Sequence, residues 1–310
     1  MTETTTMPLA PLPYVPTPAS RIVLGVDNQL DFEPASIMFD DFTERGGRTF
    51  DTAYIYGSGR CEAVFGEWLA TRGGREDLVV IGKGAHTPHC DPSSIGTQLT
   101  ESLERLQTDH VDQYFMHRDD PEVPVGEFVD AMDAEVRAGR MLAFGGSNWS
   151  VERFAAANEY AEANGRQQLT ALSNHLSLAQ ALDLPWAGCR AVSDPESKAW
   201  LASTQTPLFP WSSQARGFFT GRARPDDRSD EELVRCFYSD ANFERLRRAT
   251  ALGEEFGVPA TAIALAWLLH QPFPVFPLIG PRHVSETESS LEGLAVSLTL
   301  DQVRWLDLTG

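Results

Sequence analysis

Four side chains of complementary chemistry stand at or just after the ends of three predicted strands. Asp51 and Tyr56 follow one apolar run, Lys83 ends the next, and His117 ends the one after it. Tyrosine has a reference pKa of about 10, so a tyrosine that donates a proton needs a nearby cation to stabilise its phenolate. Lys83 would supply that cation, Asp51 would hold Lys83, and His117 would orient a substrate oxygen. This set suits proton delivery to a carbonyl oxygen.

The surrounding sequence alternates between strand-length apolar runs and helix-length amphipathic stretches, the pattern of βα units around a parallel sheet. The predicted strands are Arg21–Val26, Arg48–Asp51, Leu78–Gly82, Val111–Met116, Met141–Gly145, Leu169–Ser173, Pro207–Trp211 and Val275–Leu278. The predicted helices include Ala35–Glu44, Glu62–Thr71, Ser94–Leu106, Val125–Ala138, Val151–Ala163 and Phe243–Phe256. We therefore expect an α/β fold, a single-domain (β/α)8 TIM barrel, whose strand ends meet at one rim.

Segments outside this alternation carry separate expectations. Residues 177–206 and 214–242 lack a clean helical pattern and predict long rim loops that cover a ligand. The run from Thr299 to Gln302 predicts a capping box that opens a C-terminal helix. Residues 1–18, rich in proline and threonine, predict a flexible tail, which leaves the barrel in residues 19–310.

Composition narrows the range of partners and compartments. The chain has 310 residues, 42% of them hydrophobic, and a net charge of -19, which opposes binding to nucleic acid or an anionic membrane. Its four cysteines form no CxxC pair, it carries no signal-peptide pattern, and no run of about 18 apolar residues predicts a transmembrane helix. We expect a cytoplasmic protein with a small-molecule partner. The patterning does not set the oligomeric state.

Five segments together resemble the aldo-keto reductase family of nicotinamide-dependent carbonyl reductases, which are (β/α)8 barrels. They are FDTAYIYG, VVIGKG, VDQYFMHRD, GGSNWS and WSSQARGFFTG. The resemblance runs from about Arg21 to the end of the chain. It places the family's catalytic Asp, Tyr, Lys and His on Asp51, Tyr56, Lys83 and His117. It implies hydride transfer between NADP(H) and an aldehyde, a ketone or the corresponding alcohol.

The resemblance also implies a cofactor site on the barrel rim, and the lack of a GxGxxG motif after the first strand disfavours a Rossmann domain. Ser147 and Asn148 would bind the nicotinamide carboxamide, Asn174 stands where glutamine is common, and Trp211 would stack on the ring. The residues implied around the pyrophosphate and adenosine are Ser212, Ser213, Gln214, Arg216, Gly217, Gly280, Arg282, Glu286 and Ser290. Ser-Ser-Gln replaces the family's usual Ser-Pro-Leu in this loop.

Two of these residues point to different cofactors. Arg282 matches the arginine that commonly contacts the 2'-phosphate of NADP, whereas a carboxylate at Glu286 would repel a phosphate and suit NAD. NADP is the preferred expectation, and NAD stays possible.

Residues beside the rim are candidates for substrate contacts, and their aromatic and hydrogen-bonding types suit a sugar-like or aromatic carbonyl compound. They are Tyr54, His86, Trp149 and His175. His86, His89 and Cys90 have zinc-ligand chemistry but match no strong metal pattern, so no metal site is predicted.

Two alternatives stay open. The family fold also serves as a channel beta subunit, so the chain could be a cofactor-binding sensor with little turnover. A barrel hydrolase using Asp119, Asp120 or a metal at His86 and His89 is a weaker alternative, because adjacent carboxylates in a strand point apart. Turnover separates the first from a reductase, and nicotinamide binding separates the second.

Overall fold

A closed ring of parallel strands forms the centre of the computed structural model, which describes residues 7–309. The strands are β1 Leu9–Leu12, β2 Val15–Ser20, β3 Val23–Gly25, β4 Thr49–Asp51, β5 Val79–Gly84, β6 Val111–Met116, β7 Met141–Ser147, β8 Leu172–Ser173 and β9 Leu278–Ile279. Strands β3 to β9 lie in the order β8-β7-β6-β5-β4-β3-β9. Leu208 bridges Leu172 and Val275 and so closes the ring. The predicted single-domain (β/α)8 barrel is confirmed.

The last two predicted strands are much shorter than expected. Proline has no backbone N–H, so each proline removes one donor from the ladder. Pro207 and Pro210 flank Leu208, and the eighth strand is interrupted in the same way. The remaining donors still join neighbours, since the Leu208 N–H donates to Pro274 at 2.9 Å and that of Phe276 donates to Leu208 at 2.8 Å.

Helices surround the ring. They are α1 Phe32–Glu44, α2 Arg60–Arg72, α3 Pro92–Leu106, α4 Val125–Arg137, α5 Val151–Asn164, α6 Pro195–Thr204, α7 Glu231–Phe237, α8 Asp240–Phe256, α9 Ala260–Leu269, α10 Val284–Leu291 and α11 Leu300–Leu306. Side chains cap the N-termini of several helices. Before α3, for example, the Asp91 side chain accepts a hydrogen bond from the Ser94 backbone N–H. The capping box predicted at Thr299 and Gln302 is present at α11.

The two segments predicted to be long rim loops contain helices α6 and α7, so the predicted lack of helix there is wrong, although residues 174–194 and 221–230 have no regular helix or strand. Asp194 caps α6 by accepting from the Ser197 amide, and Pro195 occupies the first turn. This pairing of an acidic cap with an N-terminal proline is itself a helix-start signal. Helix α9 was also missed, because eight of its residues are buried and its apolar side chains show no one-sided period.

The predicted flexible tail is corrected where the structure describes it, because residues 9–20 form an antiparallel hairpin of β1 and β2. Leu12, Val15 and Ala19 pack into the apolar interior of the barrel. The Ser20 hydroxyl accepts from the Thr49 amide at 3.0 Å, which ties the hairpin to the start of β4. The hairpin therefore covers the amino ends of the strands. Residues 1–6 of the predicted tail lie outside the described residues.

Apolar side chains fill the barrel and the space between strands and helices. Inside the ring, the rings of Phe209 and Phe276 stack 4.8 Å apart, and Phe115 packs against Phe209. The amino end of the barrel is thus filled, which leaves the carboxyl ends of the strands for a site.

Among residues 7–309, no single helix is long and apolar enough to cross a membrane, and α8 with α9 passes that test only as a pair bent by 97°.

Candidate active site

The four residues predicted to be catalytic lie together at the carboxyl ends of β4, β5 and β6. Parallel pairing sets Asp51 opposite Ile81 and Lys83 opposite Phe115. The Lys83 Nζ atom lies 2.5 Å from an Asp51 carboxylate oxygen and 3.2 Å from the Tyr56 hydroxyl. Lys83 and Asp51 are almost fully buried. A buried ion pair therefore contacts the phenol of Tyr56, which is itself partly exposed.

The backbone around Tyr56 turns sharply to place the phenol. Tyr56 begins a 3-10 turn in which Gly57 has φ +54°, a conformation that favours glycine. A Cβ atom on Gly57 would lie 2.5 Å from Leu30, so a larger residue would also clash there. The Tyr56 ring meets the His117 ring edge-on with centroids 5.9 Å apart. Phenol and imidazole thus flank one space.

Burial sets the protonation states in this site. Desolvation raises the pKa of Tyr56 well above its usual value, and the carboxylates of Asp51 and Asp27 raise it further. The phenol is therefore protonated in the resting protein, and the expected lowering of its pKa by Lys83 does not dominate there. Desolvation lowers the pKa of His117 well below its usual range, with further lowering by Lys83. The imidazole is neutral at neutral pH.

Asp27 is a site residue that the sequence reasoning missed. It follows β3, the first strand of the barrel, and it is exposed at the rim. Desolvation raises its pKa, and the charge of Lys83 opposes the rise. The Cys61 thiol lies 3.6 Å from its backbone oxygen. Asp51 and Lys83 were predicted because each is an ionisable residue at the end of a strand. The same rule would also have found Asp27.

The residues implied for the nicotinamide lie beside the catalytic group. The Ser147 hydroxyl donates to the Ser173 carbonyl at 2.9 Å, and the Asn148 amide donates to the His117 carbonyl at 3.3 Å. Trp211 is half-buried, and its ring lies 5.1 Å from that of His175. The positions next to His117 thus offer amide and hydroxyl groups together with a flat aromatic face.

Asn174 does not join this group, which corrects its implied role. Its amide donates to the Trp149 carbonyl at 2.7 Å, and it lines a cavity of about 210 Å³ with Ser150, Arg190 and Asp194. Successive strand residues point to opposite faces of a sheet. The preceding Ser173 bonds instead to the Phe209 carbonyl on the neighbouring strand.

The loop after Trp211 is held mostly by its own bonds. The Ser213 hydroxyl donates to the Leu278 carbonyl at 2.6 Å, and the Gln214 side chain contacts Thr261 at 3.1 Å and Ser290 at 3.3 Å. Left-handed backbone conformations occur at Ser212, Arg216 and Gly217. Non-glycine residues in this conformation carry strain, which is often found at ligand-binding loops.

Charged groups implied for the far end of a cofactor are exposed on the rim. Arg216 pairs with Glu232 at 2.5 Å, and Arg282 is exposed at the start of α10. The Glu286 carboxylate accepts from the Arg282 backbone N–H at 2.6 Å. Glu286 therefore has a local role in closing the start of this helix. The carbonyl of Gly280, also exposed, accepts from Asn28 at 3.0 Å.

Of the four residues predicted to contact a substrate, only His86 lies in the catalytic group. Its ring is 5.0 Å from that of His117. The Tyr54 hydroxyl instead donates to Glu101 of α3 at 3.0 Å. Trp149 is fully buried with its indole N–H on the Arg118 carbonyl, and His175 is fully buried beneath Trp211. In this structure local contacts hold these three side chains outside the catalytic group.

The groups named in the weaker hydrolase hypothesis have other partners. Asp119 pairs with Arg153 at 3.1 Å, whereas Asp120 accepts from the Glu122 amide at 3.1 Å. Within residues 7–309, no three or more His, Cys, Asp and Glu side chains are arranged to hold a metal ion.

Comparisons with known proteins agree with this geometry. The model of the Aldo/keto reductase family matches residues 22–308. The chain is 28% identical to an uncharacterized oxidoreductase, YrpG, of Bacillus subtilis, over 93% of this chain and 91% of that protein. It is 30% identical to norsolorinic acid reductase stcV of Emericella nidulans, over 87% and 70% of the two chains.

Solved structures with similar folds have lower sequence identity. Glycerol dehydrogenase AKR11B4 from Gluconobacter oxydans superposes with a TM-score of 0.79 at 22% identity, covering 97% of this chain and 94% of that one. The thermostable aldo-keto reductase Tm1743 superposes with a TM-score of 0.76 at 21% identity, covering 98% and 100%. At these identities the likeness establishes the fold.

Proposed function

The chain belongs to the aldo/keto reductase family, and on that premise we propose that it is a nicotinamide-dependent oxidoreductase that interconverts an aldehyde or ketone with its alcohol. One observation carries the proposal. The hydroxyl of Tyr56 contacts Lys83, which is paired with Asp51, and all three lie beside a neutral His117. A phenol held against an ammonium suits proton transfer to a developing alkoxide, because the cation stabilises the phenolate that remains.

Each side chain has a defined part in the reductive direction. His117, neutral because it is buried, donates a hydrogen bond from its ring N–H to the carbonyl oxygen and so orients the carbonyl. The Tyr56 hydroxyl donates its proton to the carbonyl oxygen. Lys83, 3.2 Å away, stabilises the phenolate that remains, and Asp51 keeps the ammonium charged and in place. The alcohol then leaves, and a proton from solvent restores the phenol.

A nicotinamide cofactor supplies the hydride when it is bound, since no side chain can. The rim fits such a cofactor. Trp211 offers a half-exposed ring whose indole N–H is buried without a partner among the described residues. Ser147 and Asn148 offer polar groups next to His117. In a chain with a net charge of -19, the exposed guanidinium groups of Arg216 and Arg282 suit phosphates.

We propose NADP as the preferred cofactor. Arg282 is exposed at the rim, and Glu286 is held by the backbone N–H of Arg282, which leaves the guanidinium available for a phosphate. Ser212, Ser213, Gln214, Gly217, Gly280 and Ser290 would support the loops around it. The four cysteines are all unpaired, which suits a reducing compartment, so we also propose a cytoplasmic location.

The test is a titration of the purified protein with NADPH and, separately, with NADH, followed by quenching of tryptophan fluorescence. Saturable binding with preference for NADPH, reduced in Arg282→Met but not in Arg247→Met on the distant helix α8, would support the proposal. Absence of binding by either nucleotide would overturn it. Tight binding without turnover of any carbonyl compound would instead favour the regulatory-subunit alternative.

A further inference from the structure

Arg118 carries a buried positive charge that lacks a carboxylate partner. It directly follows His117 and is only 6% exposed. Its Nη1 atom donates to the His117 carbonyl at 3.0 Å, and its Nε atom is buried with no hydrogen-bond partner among residues 7–309. No carboxylate in the same residues lies within 4.0 Å of the guanidinium. One neutral carbonyl is thus its hydrogen-bond acceptor within the described chain.

This arrangement is costly, which indicates that it serves a purpose. Removing an ion from water costs several kcal/mol unless an opposite charge offsets it. The chain has 44 acidic residues, yet none of those among residues 7–309 lies within 4.0 Å of the Arg118 guanidinium. Lys83 is buried to a similar extent in the same site and has Asp51 at 2.5 Å. The difference between the two cations suggests that the counter-ion of Arg118 comes from outside the chain.

The guanidinium lies beside the backbone of His117 and the loop after β8. Gly188, in the loop after β8, faces it closely, since a Cβ atom built on Gly188 would be 4.0 Å from both Cδ and Nε of Arg118. His86 is on the other side of His117. Desolvation lowers the pKa of His86, and the charge of Arg118 lowers it further. The positive field of Arg118 therefore reaches the groups around the reacting carbonyl.

We propose that Arg118 binds an anionic group of the substrate, so that the preferred substrates are aldehydes or ketones that carry a carboxylate. A planar guanidinium can bind a carboxylate through two parallel hydrogen bonds, which fixes orientation as well as position. Arg118 would thereby hold the carbonyl against His117 and Tyr56. This inference rests on the proposed reductase function.

The test compares substrates that differ in one charge. Initial rates with NADPH are measured for 2-, 3- and 4-carboxybenzaldehyde and for the corresponding methyl esters. For wild type, we expect kcat/KM for at least one acid to exceed that of its ester by about tenfold or more, as a charge-assisted bidentate contact would produce. Arg118→Met should abolish this preference, because it should lower kcat/KM for the acid by about tenfold more than it lowers kcat/KM for the matching ester. Arg118→Lys should be intermediate.

Arg247→Met is the matched control, because it removes an equal charge from a side chain that is 64% exposed on α8. It should leave the preference for acids intact. An equal fall on acids and esters in Arg118→Met would overturn the proposal in favour of a structural or catalytic role. A wild-type enzyme that prefers the esters would overturn it as well.

A binding measurement separates this inference from the proposed function. Calorimetry with benzoate and with benzamide requires no turnover, so it remains decisive if the protein reduces nothing. We expect benzoate to bind wild type more tightly than benzamide does and the difference to disappear in Arg118→Met. Equal binding of the two probes to wild type, or an unchanged difference in the variant, would overturn the role of Arg118. If Arg118→Met does not fold, Arg118→Gln, which also removes the charge, is used for the same comparison.

Discussion

The same strands form both ends of the barrel, but the two ends bury different kinds of side chain. At the amino end, the hairpin places Leu12, Val15 and Ala19 against the interior, and Ser20 and Thr49 exchange hydrogen bonds there. The carboxyl end instead buries ionisable groups. The first end is built for packing, whereas the second keeps charges under low-dielectric conditions, where they act most strongly on a bound molecule.

Unsatisfied polar atoms mark the same contrast. Buried side-chain nitrogen atoms without a partner in the described residues include those of His117, Arg118, His175 and Trp211 at or beneath the rim, and those of Arg245 and Trp267 on helices α8 and α9. No residue of the hairpin, 9–20, has such an atom. Each unsatisfied group lowers stability, so the rim departs from good packing where a ligand would meet it.

The largest expected effect tests whether the reaction takes place at the rim formed by the carboxyl ends of the strands. Replacing Tyr56 by Phe removes the proposed proton donor and should reduce kcat by about 10²- to 10⁴-fold. Binding of NADPH, measured by fluorescence, should persist, because the phenol donates the proton and does not hold the nucleotide. Undiminished turnover in this variant would refute the role of Tyr56.

The second prediction concerns the buried ion pair. Replacing Lys83 by Met leaves Asp51 without its counter-ion, which should lower the free energy of unfolding by about 3–5 kcal/mol at pH 7, as measured by urea denaturation. Adding Asp51→Asn should restore part of the loss, because no uncompensated charge remains. If the double variant is less stable than Lys83→Met, the pair does not act through charge compensation.

The third prediction is a pH dependence of stability beneath the rim. Desolvation lowers the pKa of His175 from 6.5 to about 4. Between these values the unfolded chain binds a proton that the folded chain excludes, so stability is full above about pH 6.5 and falls as pH drops toward 4. The shift corresponds to about 3 kcal/mol at most. The loss of stability between pH 7 and 4 should be smaller in His175→Gln than in wild type, and equal losses would contradict this account.

The smallest expected effect tests the amino end. Val15→Ala removes two buried carbons and should lower the free energy of unfolding by about 1.5 kcal/mol, at about 0.8 kcal/mol for each. Turnover per folded molecule should not change, because the hairpin lies at the end opposite the site. Leu9→Ala, at a hairpin position that is 40% exposed, is the control and should cost little. Reduced turnover in Val15→Ala at full folding would show that the two ends are coupled.

Local patterns in the sequence predicted much of the fold and the central part of the site. Alternation of apolar runs identified the strands, and a reactive residue at each strand end identified Asp51, Lys83 and His117. Strand lengths were harder to predict where prolines interrupt pairing, as around Leu208. Helix α9 was not predicted, because it is buried on all sides and therefore lacks the apolar stripe on one face by which helices are recognised in a sequence.

Errors in the site have a common physical cause. Trp149 and His175 have side chains suited to a substrate, and Asn174 to a cofactor, but each turns into the surrounding packing. Residue type gives chemistry, whereas direction depends on strand alternation and on neighbours that are distant in sequence. Asp27 was missed because an aspartate by itself does not indicate a site. Its position at the end of a strand was the informative signal.

The sequence by itself determined the barrel and the grouping of Asp51, Tyr56, Lys83 and His117, because parallel strands bring their carboxyl ends to one rim. Only the tertiary structure decided the protonation of that group, since burial keeps the Tyr56 phenol protonated and the His117 imidazole neutral. It also decided that Lys83 has a counter-ion, whereas Arg118 has no carboxylate within 4.0 Å among residues 7–309. The electrostatic free energy of a charged residue depends on its burial and on the nearest opposite charge. Both are set by contacts between segments that are distant in the sequence.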